Sequence, residues 1–152
     1  ATNVYVKIPI TDTRKNSAVP LIKKLSDDGI PLNITAIMTS AQVKDVALAL
    51  NPKTPSVVSV FAGRVADSGR DPIPLMTEAA QILKSNSKAE LLWASPRELL
   101  NLFHAENCGC HIITMTNELL KKLPTIGKDL EEYSLDTVKM FYRDAQSSGF
   151  KI

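Results

Sequence analysis

"NVYVKIPI", residues 3–10, is a short β-rich run of Val, Tyr and Ile that carries a lysine, Lys7, with Pro9 two positions later. A buried ammonium is costly unless it is paired or has given up its proton. Lys7 therefore either reaches solvent from an edge strand, or the protein needs an amine there. Four further apolar runs follow: 31–37 "PLNITAI", 56–62 "SVVSVFA", 89–95 "AELLWAS" and 111–116 "HIITMT". Helical patterns lie between them, at 19–28 "VPLIKKLSDD", 39–51 "TSAQVKDVALALN", 73–86 "IPLMTEAAQILKSN" and 96–107 "PRELLNLFHAEN". Two more helices are predicted at 116–123 and 134–148. Thr39, Ser95, Thr116 and Ser134 are expected caps, and Gly29, Gly109 and Gly149 follow predicted helix ends. "DSGRDP" (67–72) and "SNSK" (85–88) read as loops.

Alternation of strand and helix every ~25 residues is the signature of βα units around a parallel sheet. Five such units fit either an open doubly wound sheet or part of an eight-unit barrel. Count favours the open sheet, because a full barrel needs about 200 residues and the chain has 152. No glycine-rich phosphate fingerprint follows the first run, which weakens a nucleotide-binding reading.

Composition narrows the class. Hydrophobic content of 44% with 22% charged residues belongs to a globular domain. A net charge of +2, with bases scattered among acids, does not point to nucleic acid. No apolar run approaches the roughly 20 residues a membrane helix needs. No basic segment followed by an apolar one opens the chain, so no signal peptide is expected. Cys108 and Cys110 in "NCGCHI" are too close for an ordinary disulfide. With His104 and His111 they resemble part of a metal site, but a structural zinc needs four ligands at defined spacing. The plainer reading is a helix ending at Gly109 before a strand, with reduced thiols, as in the cytoplasm. No metal is expected.

In α/β folds ligands meet the C-terminal ends of strands. Each run places polar groups near that end: Lys7 and Thr11, Asn33 and Thr35, Ser59 with Phe61 and Arg64, Ser95 and Arg97, Thr114 and Thr116. Asn33 and Thr35 share one face of their strand. Singly, each has an ordinary structural explanation. Together they bring an amine, hydroxyls, an amide and two guanidinium groups to one rim. An amine kept out of water beside cations loses its proton more readily and becomes a nucleophile for carbonyls. Two arginines suit a phosphate, which guanidinium binds in bidentate fashion. That combination describes a site for a phosphorylated keto or aldehyde sugar.

At these residues the sequence resembles the transaldolase family of class I aldolases, within the small subfamily that includes fructose-6-phosphate aldolase. "VYVKIPIT" is similar to the family's fourth strand, whose lysine forms the Schiff base, which implies that role for Lys7. "GIPLNITAI" resembles the fifth strand and implies catalytic parts for Asn33 and Thr35. "VSVFAGRVAD" resembles the sixth, with Ser59 and Phe61 lining the site and Arg64 on phosphate. "LLWASPREL" resembles the seventh, with Ser95 in the site and Arg97 as the second phosphate-binding base. "GCHIITMTNELLKKL" resembles the eighth strand and the helix after it. The resemblance runs from residue 1 to about 125, and the terminal helix fits as well.

The resemblance implies an α/β fold of the (β/α)8 TIM-barrel type, with this chain supplying about five parallel βα units plus a C-terminal helix. It places Lys7 on the fourth strand, so three βα units of about 75 residues would precede it. The acid–base residues that the family carries on those strands have no counterpart here. Residues 1–152 are expected to form one partial barrel domain, with βα units over 1–125 and the helix at 134–148 as an oligomer contact. The implied function is transfer of a dihydroxyacetone unit between sugar phosphates in the cytoplasmic pentose phosphate pathway, without cofactor. Sugar phosphates are the expected partners, together with further copies of the chain, and no nucleic acid or membrane. Phenylalanine at 61, where the aldolases carry tyrosine, favours transfer over cleavage, since a phenol can position water and shuttle a proton. Two alternatives stay open: a catalytically incomplete phosphosugar-binding fragment, and a fructose-6-phosphate aldolase-type enzyme.

Overall fold

Each of the five β-rich runs forms a strand in the computed structural model, which describes residues 3–86 and 88–149. These are β1 (Val6–Pro9), β2 (Leu32–Ile37), β3 (Ser56–Val60), β4 (Ala89–Trp93) and β5 (Ile112–Ile113). All neighbours pair in parallel, and the spatial order is β1-β2-β3-β4-β5, the order of the chain. An open doubly wound sheet reverses its strand order part-way; this sheet does not. Four right-handed crossovers that always step in one direction keep their helices on one face, which is the architecture of a (β/α) barrel segment. β1 and β5 do not pair with each other, so the segment is open among the described residues.

The connecting helices are α1 (Val19–Asp27), α2 (Ser40–Ala49), α3 (Ala62–Asp67), α4 (Ile73–Leu83) and α5 (Leu100–Asn107). Thr39 caps α2 as expected, in a capping box with Gln42. Gly29, Gly109 and Gly149 follow helix ends with φ of 75–80°, where a side chain would be strained.

Three local expectations are corrected. The run at 56–62 stops as a strand at Val60, and α3 starts at Ala62 because Arg64 N–H and Val65 N–H both donate to the Phe61 carbonyl. Ser95 is not a cap. α5 begins at Leu100, five residues further on, and Ser95 adopts φ 60°. Ser134 lies inside its helix, which begins earlier (below).

Strand alternation splits the sheet into two chemically different faces. Ile8, Ile34, Val58, Leu91 and Trp93 point toward the helices and build the main core with Ile22, Val43, Val46, Met76 and Ala79. Each such residue taken out of water contributes about 1.5–3 kcal/mol, so this layer holds the sheet. The opposite, concave face carries a small cluster of Val57, Leu92 and Ala94 with Phe61 and Ile112. A register irregularity in β2 between Ile34 and Ile37, with Ala36 at φ 63°, lets both isoleucines face the helices while Thr35 keeps the concave side.

The chain divides into two compact units, Ala1–Thr116 and Asn117–Ile152. The second holds α6 (Asn117–Lys122), a 3-10 turn (Leu123–Thr125) and α7 (Leu130–Ser147). Asp129 caps α7, its carboxylate accepting from the N–H groups of Glu131 and Glu132. Two glutamates in the first turn complement the helix dipole, which is why α7 starts ahead of Ser134. The Lys128 ammonium, near the Tyr133 ring and 2.6 Å from Asp136, holds the Asp136 carboxyl below its usual range. No residue of α7 is buried, and Leu130, Val138, Phe141 and Tyr142 stand in solvent. Ser87, in the "SNSK" loop, lies outside the described residues.

Candidate active site

The concave face gathers the predicted residues strand by strand. Lys7 of β1 sits in register with Asn33 of β2, and Pro9 with Thr35. Ser59 of β3 stands beside Leu92 of β4, which is in register with Ile112 of β5. Lys7, Asn33, Thr35, Ser59, Phe61, Leu92, Ala94, Ser95 and Thr114 line one cavity of about 220 Å³. Leu92 and Ala94 were not expected there. Their signal was the alternation along 89–95, which puts them opposite Leu91 and Trp93.

Polar contacts order part of this cavity. Ser59, 3% exposed, donates its hydroxyl to the Asn33 side-chain carbonyl at 2.7 Å. That bond fixes the Asn33 amide so that its NH₂ faces away from Ser59, available to a ligand oxygen. Thr35 is 8% exposed, and its hydroxyl is buried with no hydrogen-bond partner. An orphaned hydroxyl of this kind costs about 1–3 kcal/mol. Its counterpart on the helix-covered face is the indole N–H of Trp93.

Lys7 belongs to β1, which pairs only with β2, and the residue is exposed. In this open sheet Lys7 is therefore open to solvent while it lines the cavity together with its strand neighbours. The lining supplies one amine, one amide and four hydroxyls, and no carboxylate among the described residues.

The two arginines sit elsewhere. Arg64 and Arg97 line a separate, open cleft with Met38, Asp67 and Ser68, of about 550 Å³. Phe61 joins the two sites, since its ring lines the first and lies 5.7 Å below the Arg64 guanidinium of the second. Arg97 donates from Nε to Asp67 Oδ1 at 3.0 Å and from Nη2 to Asp67 Oδ2. Its backbone N–H donates to Asn101 Oδ1 at 2.8 Å. Asp67 and Asn101 were absent from the expected site. Asp67 has no local sequence signal, because it acts on a residue thirty positions away, whereas Asn101 acts within four residues but lies inside the helix expected over 96–107.

Backbone strain concentrates here too. Ala36 and Ser95 are two of the three non-glycine residues with positive φ among those described, and both border the site. Gly63 N–H donates to the Ala94 carbonyl at 3.2 Å, and a Cβ at 63 would stand 1.5 Å from the Ser95 carbonyl oxygen. Only glycine permits that approach. In the loop after β1, Asp12 accepts from the side chain and backbone of Asn16 and from Arg14 N–H, which holds its carboxyl below the usual range. It is thereby engaged within its own loop.

Outside these sites, Cys108 and Cys110 are free thiols. Burial, and then the neighbouring Cys108, push the Cys110 thiol up to about 12, which suppresses the reactive thiolate. Among the described residues no three His, Cys, Asp or Glu side chains are grouped to hold a metal ion. None of the described helices is long and apolar enough to cross a membrane.

Comparison with known proteins gives the same direction. The profile of the family described as Transaldolase/Fructose-6-phosphate aldolase matches residues 1–152. A protein named "Probable transaldolase" from Herpetosiphon aurantiacus is 31% identical over 140 residues, covering 90% of this chain and 60% of the relative. One of the same name from Nitrosopumilus maritimus is 31% identical over 143 residues, covering 91% and 61%. "Probable transaldolase 2" of Listeria monocytogenes is 33% identical over 140 residues, covering 90% and 61%. The chain thus spans about three-fifths of the length of these curated relatives.

Proposed function

The chain belongs to the transaldolase/fructose-6-phosphate aldolase family, and on that footing we propose that it transfers a dihydroxyacetone unit between sugar phosphates through a Schiff base on Lys7. The observation that carries this reading is the shared cavity, in which the Lys7 amine meets Asn33, Thr35, Ser59 and Ser95. The amine adds to the ketone carbon of the donor, and the carbonyl oxygen leaves as water, giving an iminium. The donor's C4 hydroxyl then loses its proton and the C3–C4 bond breaks toward the iminium, releasing an aldose phosphate. The remaining enamine attacks the aldehyde carbon of an acceptor, whose oxygen takes up a proton. Water hydrolyses the new iminium and frees the lysine.

Asn33, oriented by Ser59, and Thr35, with its unanswered hydroxyl, hold donor hydroxyls and the water. Ser59 and Ser95 line the pocket with Phe61, and Arg64 and Arg97 hold the phosphate. The reaction belongs to the pentose phosphate pathway and runs in the cytoplasm, with the chain in a homo-oligomer built through α7. It uses no metal or organic cofactor.

A second reading has its own support: the described lining contains no carboxylate to move the C4 proton. A chain of this kind binds the sugar phosphate and forms the iminium without turnover. Incubation with fructose 6-phosphate, reduction with borohydride and peptide mass spectrometry test both. The proposed function requires an adduct on Lys7 at neutral pH and release of aldose phosphate. An adduct without release selects the second reading. Absence of the adduct sinks the Schiff-base mechanism.

A further inference from the structure

The grip of Asp67 on Arg97 is not accounted for by the proposed chemistry. Both side chains are about half exposed, and an isolated ion pair of that kind adds little stability. Its geometry is nevertheless specific. The carboxylate takes the Nε and Nη2 side of the guanidinium through two N–H donors. Arg carries five N–H groups in a planar fork. Three remain, two on Nη1 and one on Nη2, along the edge away from Asp67.

The same arginine is fixed at its backbone by Asn101, a residue 9% exposed that also accepts from Glu98 N–H. The two supports come from different elements. Asp67 ends α3, whose start is tied to the end of β4 through Gly63 and Ala94, and Asn101 lies in α5. A flexible side chain on the loop after β4 is thereby held at both ends. Arg64, resting on the Phe61 ring, completes the cleft.

We infer that Asp67 is a positioning residue for the phosphate site: it orients Arg97 so that the Nη1/Nη2 edge, with Arg64, receives a phosphomonoester. This rests on the proposed reading of Arg64 and Arg97 as phosphate ligands. A carboxylate in this place also repels anions from the Nε side, so the phosphate is confined to one approach. Asp67 touches no substrate. It acts through Arg97.

The test uses the full chain and inorganic phosphate as probe, with affinity read by calorimetry and folding by thermal melting. Asp67→Asn is expected to weaken phosphate roughly five- to tenfold with a melting temperature within a few degrees of wild type. Asp67→Glu, which keeps the two-point acceptor, stays within about threefold of wild type. Arg97→Ala weakens binding at least as much as Asp67→Asn, and the double variant is no weaker than Arg97→Ala, because the aspartate has nothing left to orient. Asp67→Asn that binds phosphate as tightly as wild type, or more tightly, overturns the inference, as do additive losses in the double variant. Should Asp67→Asn fail to fold, Arg97→Lys gives the second measurement: an ammonium lacks the fork, so binding falls by a similar factor, and retention overturns the role. A wild-type chain that takes up no phosphate overturns the phosphate assignment and this role together. Uptake unaffected by Asp67→Asn overturns this role alone. The borohydride adduct on Lys7 reports on the amine independently of both.

Discussion

Thr35 lines the cavity, and its hydroxyl is buried and bonds to nothing. A core position without a ligand would be better served by valine, which has the same shape and no polar atom to desolvate. Thr35→Val is therefore expected to raise the unfolding free energy by about 1 kcal/mol, read as a higher urea midpoint at unchanged slope, while reducing trapping of the Lys7 adduct. A loss of stability would mean that the hydroxyl has a partner in the folded chain. The N-x-T spacing already placed Asn33 and Thr35 on one strand face, because side-chain period in a strand is a local property. Which of the two would be satisfied and which left open was not readable, since the deciding Ser59 is 26 residues from Asn33.

At the scale of elements, α3 and the loop after β4 meet at Gly63. The substitution Gly63→Ala would bring a methyl group against the Ser95 carbonyl, where backbone and not a flexible side chain is in the way. We expect it to destabilise the fold by about 3 kcal/mol or more in urea unfolding, with loss of phosphate affinity as Arg64 and Ser95 shift. A variant with wild-type stability would show that the two segments have slack. No helix was expected between the run at 56–62 and the loop at 67–72, so this constraint could not be anticipated. Thr39 is the opposite case: its place as a cap was visible in the sequence, and its capping box with Gln42 involves residues only three apart. Ser95 shows how such local rules fail, because the helix it was expected to cap begins only at Leu100 and Ser95 itself adopts φ 60°.

On the scale of the whole molecule, the sheet has two unpaired sides among the described residues. Val4 is 59% exposed and Val6 44%, with Tyr5 between them, along the edge of the sheet at β1. Exposed apolar strand edges recruit other strands. The chain is expected to associate with increasing concentration in sedimentation experiments, and Val6→Lys to shift it toward monomer. A monomer at every concentration would remove the edge from consideration as a contact. The apolar residues of α7 offer a second surface, separable by the same measurement on Phe141→Lys. By itself the sequence determined the βα alternation, the strand positions and the residue types at their C-terminal ends, because period, capping and composition act over a few residues. It left open sheet against barrel undecided, and the consecutive parallel strand order settled that in favour of the barrel type. Only the tertiary structure separated the amine cavity from the arginine cleft, joined them through Phe61 and set Asp67 against Arg97. Asp67 and Arg97 are thirty residues apart, and at such separations packing and hydrogen bonding, and no local propensity, decide which groups meet.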